Sequence, residues 1–423
     1  MSKLKNKVGE GKKKRRKRSG DPLVEKFPLY LTPDQVTIAR ALQMEAAKVW
    51  NRGTRPQGGS CFVHRLIYAA YHIWLGEAAM KEFVKGRFKI HSQAVQAIVE
   101  LYFECCERTK KLREEGEKDW RYPHRKKHFF TVIWKDLGII IDGAFLCLSN
   151  GRGQEALRIK LPVRLRGIEI RNVQLVWHRN QYWLHVVVEK PFMNKVQGGN
   201  KVAIDPGEIH AVAMTDGKEA VVISGRLLRS LHRLRNKKLR WFQRAISRTK
   251  KGSRRRRKLL DAKYRFLNNI DRRIQHVLHA ISAEVVRWCV SHNVKTVYIG
   301  DPSGVRDKNC GRKHDQRMSQ WTFGKLRRLL EYKLKRHGIK LEPVDERGTS
   351  GTCPACTVYT KQSGRTYKCG NKDCGFKGAH RDMVGSSGIL DKSVNGSFTR
   401  GRVLPSKVEY SRPKVLAAKK KAA

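Results

Sequence analysis

Acidic residues are scarce in this sequence. Only 37 Asp and Glu stand against 91 Lys and Arg in 423 residues, a formal net charge of +54. A compact chain so unbalanced repels itself unless a polyanion offsets the charge. The basic residues run from end to end rather than in one tail, so the expected partner is a large nucleic acid. No run of about 20 apolar residues occurs and nothing reads as a signal peptide, so a membrane span is excluded and a cytosolic location is expected. An anionic membrane surface is a weak alternative partner. Spaced cysteine pairs are also missing outside one segment. Cys61, Cys105, Cys106, Cys147, Cys289 and Cys310 lie singly or adjacent, mostly among apolar residues, which points to reduced thiols. A hydrophobic fraction of 40% is nonetheless enough for folded cores.

The one segment with paired cysteines has Cys353/Cys356, then twelve residues, then Cys369/Cys374. That spacing fits one tetrahedral Zn²⁺ held by four thiolates, with two disulfides as the alternative. Four thiolates leave no coordination position for a reacting water, so the expected role is structural. Gly370 and Gly375 supply the turns.

Along the chain, residues 1–20 are a basic, low-complexity tail. Residues 21–32 read as a strand, and Thr32-Pro33 as the N-cap and first position of a helix. Helical periodicity dominates 33–119, with Val36, Ala39, Leu42, Ala46 and Val49 on one stripe. Trp50, Tyr68, Tyr71 and Trp74 all read as core more than as stacking platforms, with Trp50 and Arg52, at a helix end, the candidates for a nucleic-acid contact. Residues 120–195 turn to short alternating strands such as FFTVIW and YWLHVVVEKP. The expected arrangement is an antiparallel barrel or sandwich, formed by 21–32 and 120–195, into which the helices are inserted. From Asn200 three apolar strands, a long basic helical region over 226–292, strand 296–301, helix 319–337, strand 339–346 and a helix near 382–391 follow. This is the element order of an RNase H-like fold, built from 200–346 and 380–392 and interrupted by the cysteine segment 347–379. The fold class expected is therefore α+β and multidomain, with a loose basic tail over 393–423.

In so basic a chain, acids at strand ends stand out. Hydrolysis of a phosphodiester by two metal ions needs carboxylates that hold Mg²⁺ ions about 3.5–4 Å apart. Asp205 ends the first strand of the third unit, before Pro206-Gly207, although Asp-Pro-Gly is also a common turn. Asp382 opens HRDMVGSSGIL, whose small residues allow close packing on a sheet, although it could equally be a helix cap. The third acid stays open between Asp301, ending TVYIGD beside the first strand, and Glu346, ending IKLEPVDE one strand further out.

In this order, IDPG, VYIGDPSGV, DERGTSGTCPAC and KCGNKDCGFKGAHRDMVGSSGIL resemble the RuvC-like nuclease domain of TnpB, the transposon-encoded RNA-guided nuclease. The small type V CRISPR effectors derived from it look similar. The resemblance covers about 200–392; the preceding helices and strands are like the family's recognition and wedge domains, less specifically. It implies an RNA-guided DNA endonuclease with guide RNA and target DNA as partners, two Mg²⁺ ions and one structural Zn²⁺. It also implies catalytic roles for Asp205 and Asp382. The family usually has a glutamate where this chain has Gly300-Asp301, and Glu346 fits a relocation to the neighbouring strand end. A guide-directed DNA binder with a degenerate nuclease site is the alternative.

Overall fold

The computed structural model describes residues 20–51, 60–123, 127–151, 153–191, 193, 195–302, 311–362 and 364–413. Arg52, with residues 1–19 and 414–423 of the two basic tails, lies outside them. The chain divides into two units, Met1–Phe192 and Met193–Ala423.

The first unit runs β1 (Gly20–Leu29), α1 (Pro33–Trp50), α2 (Ser60–Tyr71), α3 (Glu77–Val84), α4 (Ser92–Glu114), β2 (Val132–Lys135), β3 (Ile139–Asp142), β4 (Phe145–Leu148), β5 (Leu157–Lys160), β6 (Ile170–His178) and β7 (Gln181–Pro191). β1 pairs antiparallel with β7 from Gly20↔Pro191 to Leu29↔Tyr182, so the four helices fall, in chain order, between two strands of one sheet. The described strands form a four-stranded sheet, β1-β7-β6-β2, and a three-stranded one, β3-β4-β5. Helix α1 starts as its sequence dictates: Thr32 and Gln35 close a capping box, with Pro33 at the first position.

The aromatic residues of this unit divide between core and surface. Trp50 is 7% exposed, stacked on Phe130 at 4.6 Å and edge-on to Tyr102 at 5.8 Å, so its faces are spent in the core. It is not available to stack on a base, so its core reading holds and its candidacy as a nucleic-acid contact falls. Tyr68, Tyr71 and Trp74 are instead exposed.

The second unit runs β8 (Asn200–Asp205), β9 (His210–Thr215), β10 (Glu219–Ser224), α5 (Arg226–Ser247), α6 (Arg254–Ser291), β11 (Val294–Asp301), α7 (Arg312–Gln320), α8 (Phe323–Arg336), β12 (Lys340–Asp345), β13 (Thr366–Tyr367), β14 (Ala379–His380), α9 (Arg381–Asn395) and β15 (Lys407–Ser411). Six strands make one sheet in the order β12-β11-β8-β9-β10-β15. β11 is parallel to β8 and β12, and β9 is antiparallel to its neighbours. Val202 and Ile204 of β8 pack with Ile274, Leu278 and Ile281 of α6 and with Leu330 of α8. Each such side chain contributes about 1.5–3 kcal/mol on burial. The opposite face carries Ala203, which packs with Ile389 of α9. With side chains alternating along β8, Asp205 shares the face of Ala203.

Three details depart from the sequence reading. The basic region 226–292 is a helical hairpin, turned at 248–253 with Gly252 at φ +82°. The helix expected over 319–337 is two helices meeting at Trp321-Thr322. The segment after Ser393 is not loose as far as 413. β15 extends the sheet in parallel with β10, and Asp391 accepts hydrogen bonds from Thr399 N (2.7 Å), Thr399 Oγ1 (2.8 Å) and Arg402 Nη1 (3.4 Å).

Candidate active site

Asp205, at the end of β8, lies beside the first turn of α9. Gly385 allows this approach, since a Cβ there would sit 2.3 Å from Asp205 Oδ2. Asp382, second residue of α9, receives His210 Nδ1 at 2.5 Å, while the backbone N–H of Asp382 donates to His380 Nδ1 at 3.3 Å. Glu346 follows β12 at a tight turn in which Thr349 N and Oγ1 donate to the Glu346 carbonyl at 3.2 and 2.8 Å. Its neighbour Asp345 is held instead by Lys392 Nζ at 3.1 Å.

Gly300 explains how an acid on β12 reaches this point. A Cβ on Gly300 would lie 2.6 Å from Glu346 Oε2 and 3.0 Å from Ile389. The bare backbone of β11 is thus the floor over which the Glu346 carboxylate extends. Asp205, Glu346 and Asp382 line one cavity of about 210 Å³, together with Pro206, His210 and Arg381. Asp301 is outside that lining, and its carboxylate lies 3.6 Å from Arg327 Nη1 of α8.

The electrostatics are those of a cation site. Burial, and then the charges of Asp382 and Glu346, push Asp205 up to about 8. Burial, and then Asp301 and Asp345, push Glu346 up to about 7. Glu346 Oε2 is buried with no hydrogen-bond partner. A buried acceptor left unpaired costs about 1–3 kcal/mol. Hard oxygen donors of this kind fit Mg²⁺. His210 and His380 escaped the sequence reading. The only signal was a polar residue opening an otherwise apolar strand, because the contact with Asp382 depends on packing across the sheet.

The four cysteines also converge. Their sulfurs lie within 4.8 Å of one another, with Cys353–Cys374 and Cys356–Cys369 each at 3.6 Å. A disulfide requires about 2.05 Å, whereas sulfurs on a tetrahedral metal at about 2.3 Å stand near 3.8 Å apart. Backbone N–H groups of Val358, Asn371 and Phe376 hydrogen-bond Cys356, Cys369 and Cys374 and favour thiolates. Burial raises Cys369 and Cys374 against that pull, a conflict that a bound dication relieves. The cluster packs on Tyr367 and Val384, the latter from α9.

Residues 323–389 match the model of the Cas12f1-like TNB domain, and residues 184–306 that of a probable transposase, OrfB_IS605. TnpB-like protein MJ0751 of Methanocaldococcus jannaschii is 31% identical over 131 residues, 30% of this chain and 46% of that one. TnpB-like protein ORF457 of Acidianus two-tailed virus is 28% identical over 137 residues, 32% of this chain and 28% of that one. The chain thus spans less than half the length of these relatives. In fold it is similar to Cas12f1 in a complex with sgRNA and target DNA, at a TM-score of 0.57 and 14% identity over 86% of this chain and 84% of that one. It is also similar to the mini-RNA-guided endonuclease Cas_phi3, at a TM-score of 0.50 and 9% identity over 90% and 94%. No helix among the described residues is long and apolar enough to cross a membrane.

Proposed function

We propose, on the premise that this chain is a TnpB-type protein related to the small type V effectors, that it is an RNA-guided DNA endonuclease. Asp205, Glu346 and Asp382 would hold two Mg²⁺ ions, which supply an activated water and neutralise charge on the scissile phosphate. Asp205 and Glu346 contribute carboxylates from two strand ends, and Asp382 contributes one from a helix start that His210 orients. Arg381, beside them, offers a cation to a phosphate oxygen. The observation that carries this reading is the convergence of three acids from β8, β12 and α9 in a chain otherwise so basic.

In the same reading, 200–346 and 380–392 form a RuvC-like domain and 347–379 a zinc ribbon, whose Zn²⁺ holds the shape of the segment after Glu346. Residues 21–32 and 120–195 serve as the wedge and 33–119 as the recognition domain, which together hold the guide and read a short flanking motif on the DNA. Base pairing with the guide then supplies most of the sequence specificity. The complete carboxylate set favours a nuclease over a guide-directed binder. The test is cleavage of a guide-matched, flank-bearing target at millimolar Mg²⁺ by the wild type, Asp205→Asn, Glu346→Gln and Asp301→Asn. Cutting by the wild type and Asp301→Asn alone supports the assignment. Guided binding without cutting by the wild type turns it into the binder.

A further inference from the structure

A second and larger cavity lies against the first, and Pro206 and Gly207 line both. Its volume is about 670 Å³, bounded by α5, α6, α7 and α8. The two ends of this space differ in chemistry. Leu228, Leu278, Leu326, Trp321 and Phe323 give an apolar floor, and the last two rings stand 5.7 Å apart. Arg229, Arg233, Lys237, Arg240 and Arg317 surround the mouth. Glu208 is the one acid among the described lining residues, and it is occupied by Arg229 (3.3 Å) and Arg317 (3.7 Å), which it holds in place while the rim stays cationic.

Between floor and rim stand Asn236 and Gln320, which hydrogen-bond each other in both directions, Nδ2 to Oε1 at 2.9 Å and Nε2 to Oδ1 at 3.0 Å. Side-chain amides are the groups that pair with base edges, and this pair keeps a donor and an acceptor lone pair free after bonding to itself. His232 adds a buried Nε2 with no hydrogen-bond partner.

We propose that this cavity captures one unstacked base of the DNA strand being cut, next to the scissile phosphate. The proposal deepens the nuclease reading and rests on it for the identity of the strand. A flat apolar ring has a floor to stack on, its polar edge meets the amides and His232, and its phosphates meet the arginines. Base–aromatic stacking of this kind tolerates any sequence but requires a base. An uncharged small molecule or an acidic peptide would use only one of the two ends.

The fluorescent base 2-aminopurine, moved one position at a time along the cut strand of a guide-matched, flank-bearing target, tests this on the full-length, guide-loaded Asp205→Asn protein. Quenching is expected at one position, and Trp321→Ala should abolish it while weakening binding about tenfold. Trp321→Phe should restore most of the quenching, and Asn236→Ala, which removes little apolar surface, should weaken it without loss of folding. In the active protein, an abasic site at that position should raise KM with kcat nearly unchanged, and in Trp321→Ala the abasic penalty should vanish. A flat quenching profile, or one that Trp321→Ala leaves intact, overturns the proposal; so does equal quenching by the RNA version of the strand. A protein that quenches at one position but never cuts keeps the pocket and sinks the nuclease.

Discussion

The carboxylate centre and the cysteine centre sit in the same unit, yet they were assembled by opposite means. The four cysteines span only 353–374, and two tight turns with local backbone bonds are enough to bring their sulfurs together. The three carboxylates come from 205, 346 and 382, so they meet only when β8, β11 and β12 have paired and α9 has docked. One set is closed by its own ligand count, while the other stays open on a cavity. In the proposed function, a local cluster of soft donors would suit permanence and a non-local cluster of hard donors exchange with a substrate.

The comparison breaks hardest at the cysteines. Cys369→Ser should lower metal content from one zinc per chain towards none and unfold the segment around 347–379, because a structural Zn²⁺ supplies about 10–16 kcal/mol of apparent binding energy. Metal analysis and proteolysis check this. Full zinc retention in the variant would break the assignment.

At the carboxylates the expected loss is in rate rather than fold. Glu346→Gln or Asp205→Asn should reduce cleavage by more than about a hundredfold, since even outer partners of metal ligands cost 10–100-fold. Guide and target affinity, measured by filter binding, should stay within about threefold, because phosphate contacts are made elsewhere. A dead Asp301→Asn beside an active Glu346→Gln would reverse the roles of the two strand ends.

A methyl group is a finer probe. Gly385→Ala places a Cβ 2.3 Å from Asp205 Oδ2, which must then shift, and should slow cleavage by about 10–100-fold, with zinc content unchanged. Wild-type rates in this variant would mean that Asp205 is free to move and is not a fixed ligand.

The smallest effect is in stability against pH. Asp205 (about 8) and Glu346 (about 7) lie above their unfolded values, so the folded chain keeps protons that the unfolded chain releases. Without Mg²⁺ these two groups therefore subtract stability progressively as pH rises from about 4 to 8. Asp205→Asn should melt higher than wild type at pH 8 and nearly equal to it at pH 4.5. A difference of about 1–2 kcal/mol is about 2–8 °C in a unit the size of Met193–Ala423. Calorimetry in magnesium-free buffer checks the sign; added Mg²⁺ should raise only the wild type.

What the sequence made legible follows the same division. Cysteine spacing is local, so Cys353, Cys356, Cys369 and Cys374 could be read directly. Asp205 and Asp382 were legible because turn and small-residue signals flank them. Glu346 could be preferred but not placed, since the room it occupies is made by Gly300 on another strand. Tyr68, Tyr71 and Trp74 were the misread aromatics, since helical spacing alone does not show which face is covered, whereas the core place of Trp50 is fixed by Phe130, far away in the chain. The parallel strand β15 was missed because a short, exposed segment after a basic stretch carries no alternation.

The space shared by position 300 and the Glu346 carboxylate also constrains how such a chain can change. A side chain at 300 and a glutamate at 346 compete for one volume, so an acid on either strand excludes the other. Passing from one arrangement to the other by single substitutions means traversing either a crowded variant, with both groups present, or a vacant one, with neither. Positions 300 and 346 should therefore be strongly epistatic: Gly300→Glu and Glu346→Gly would each be damaging alone and far less so together. That double variant would ask whether the arrangement seen here is one of two alternative solutions or the sole one that this backbone accepts.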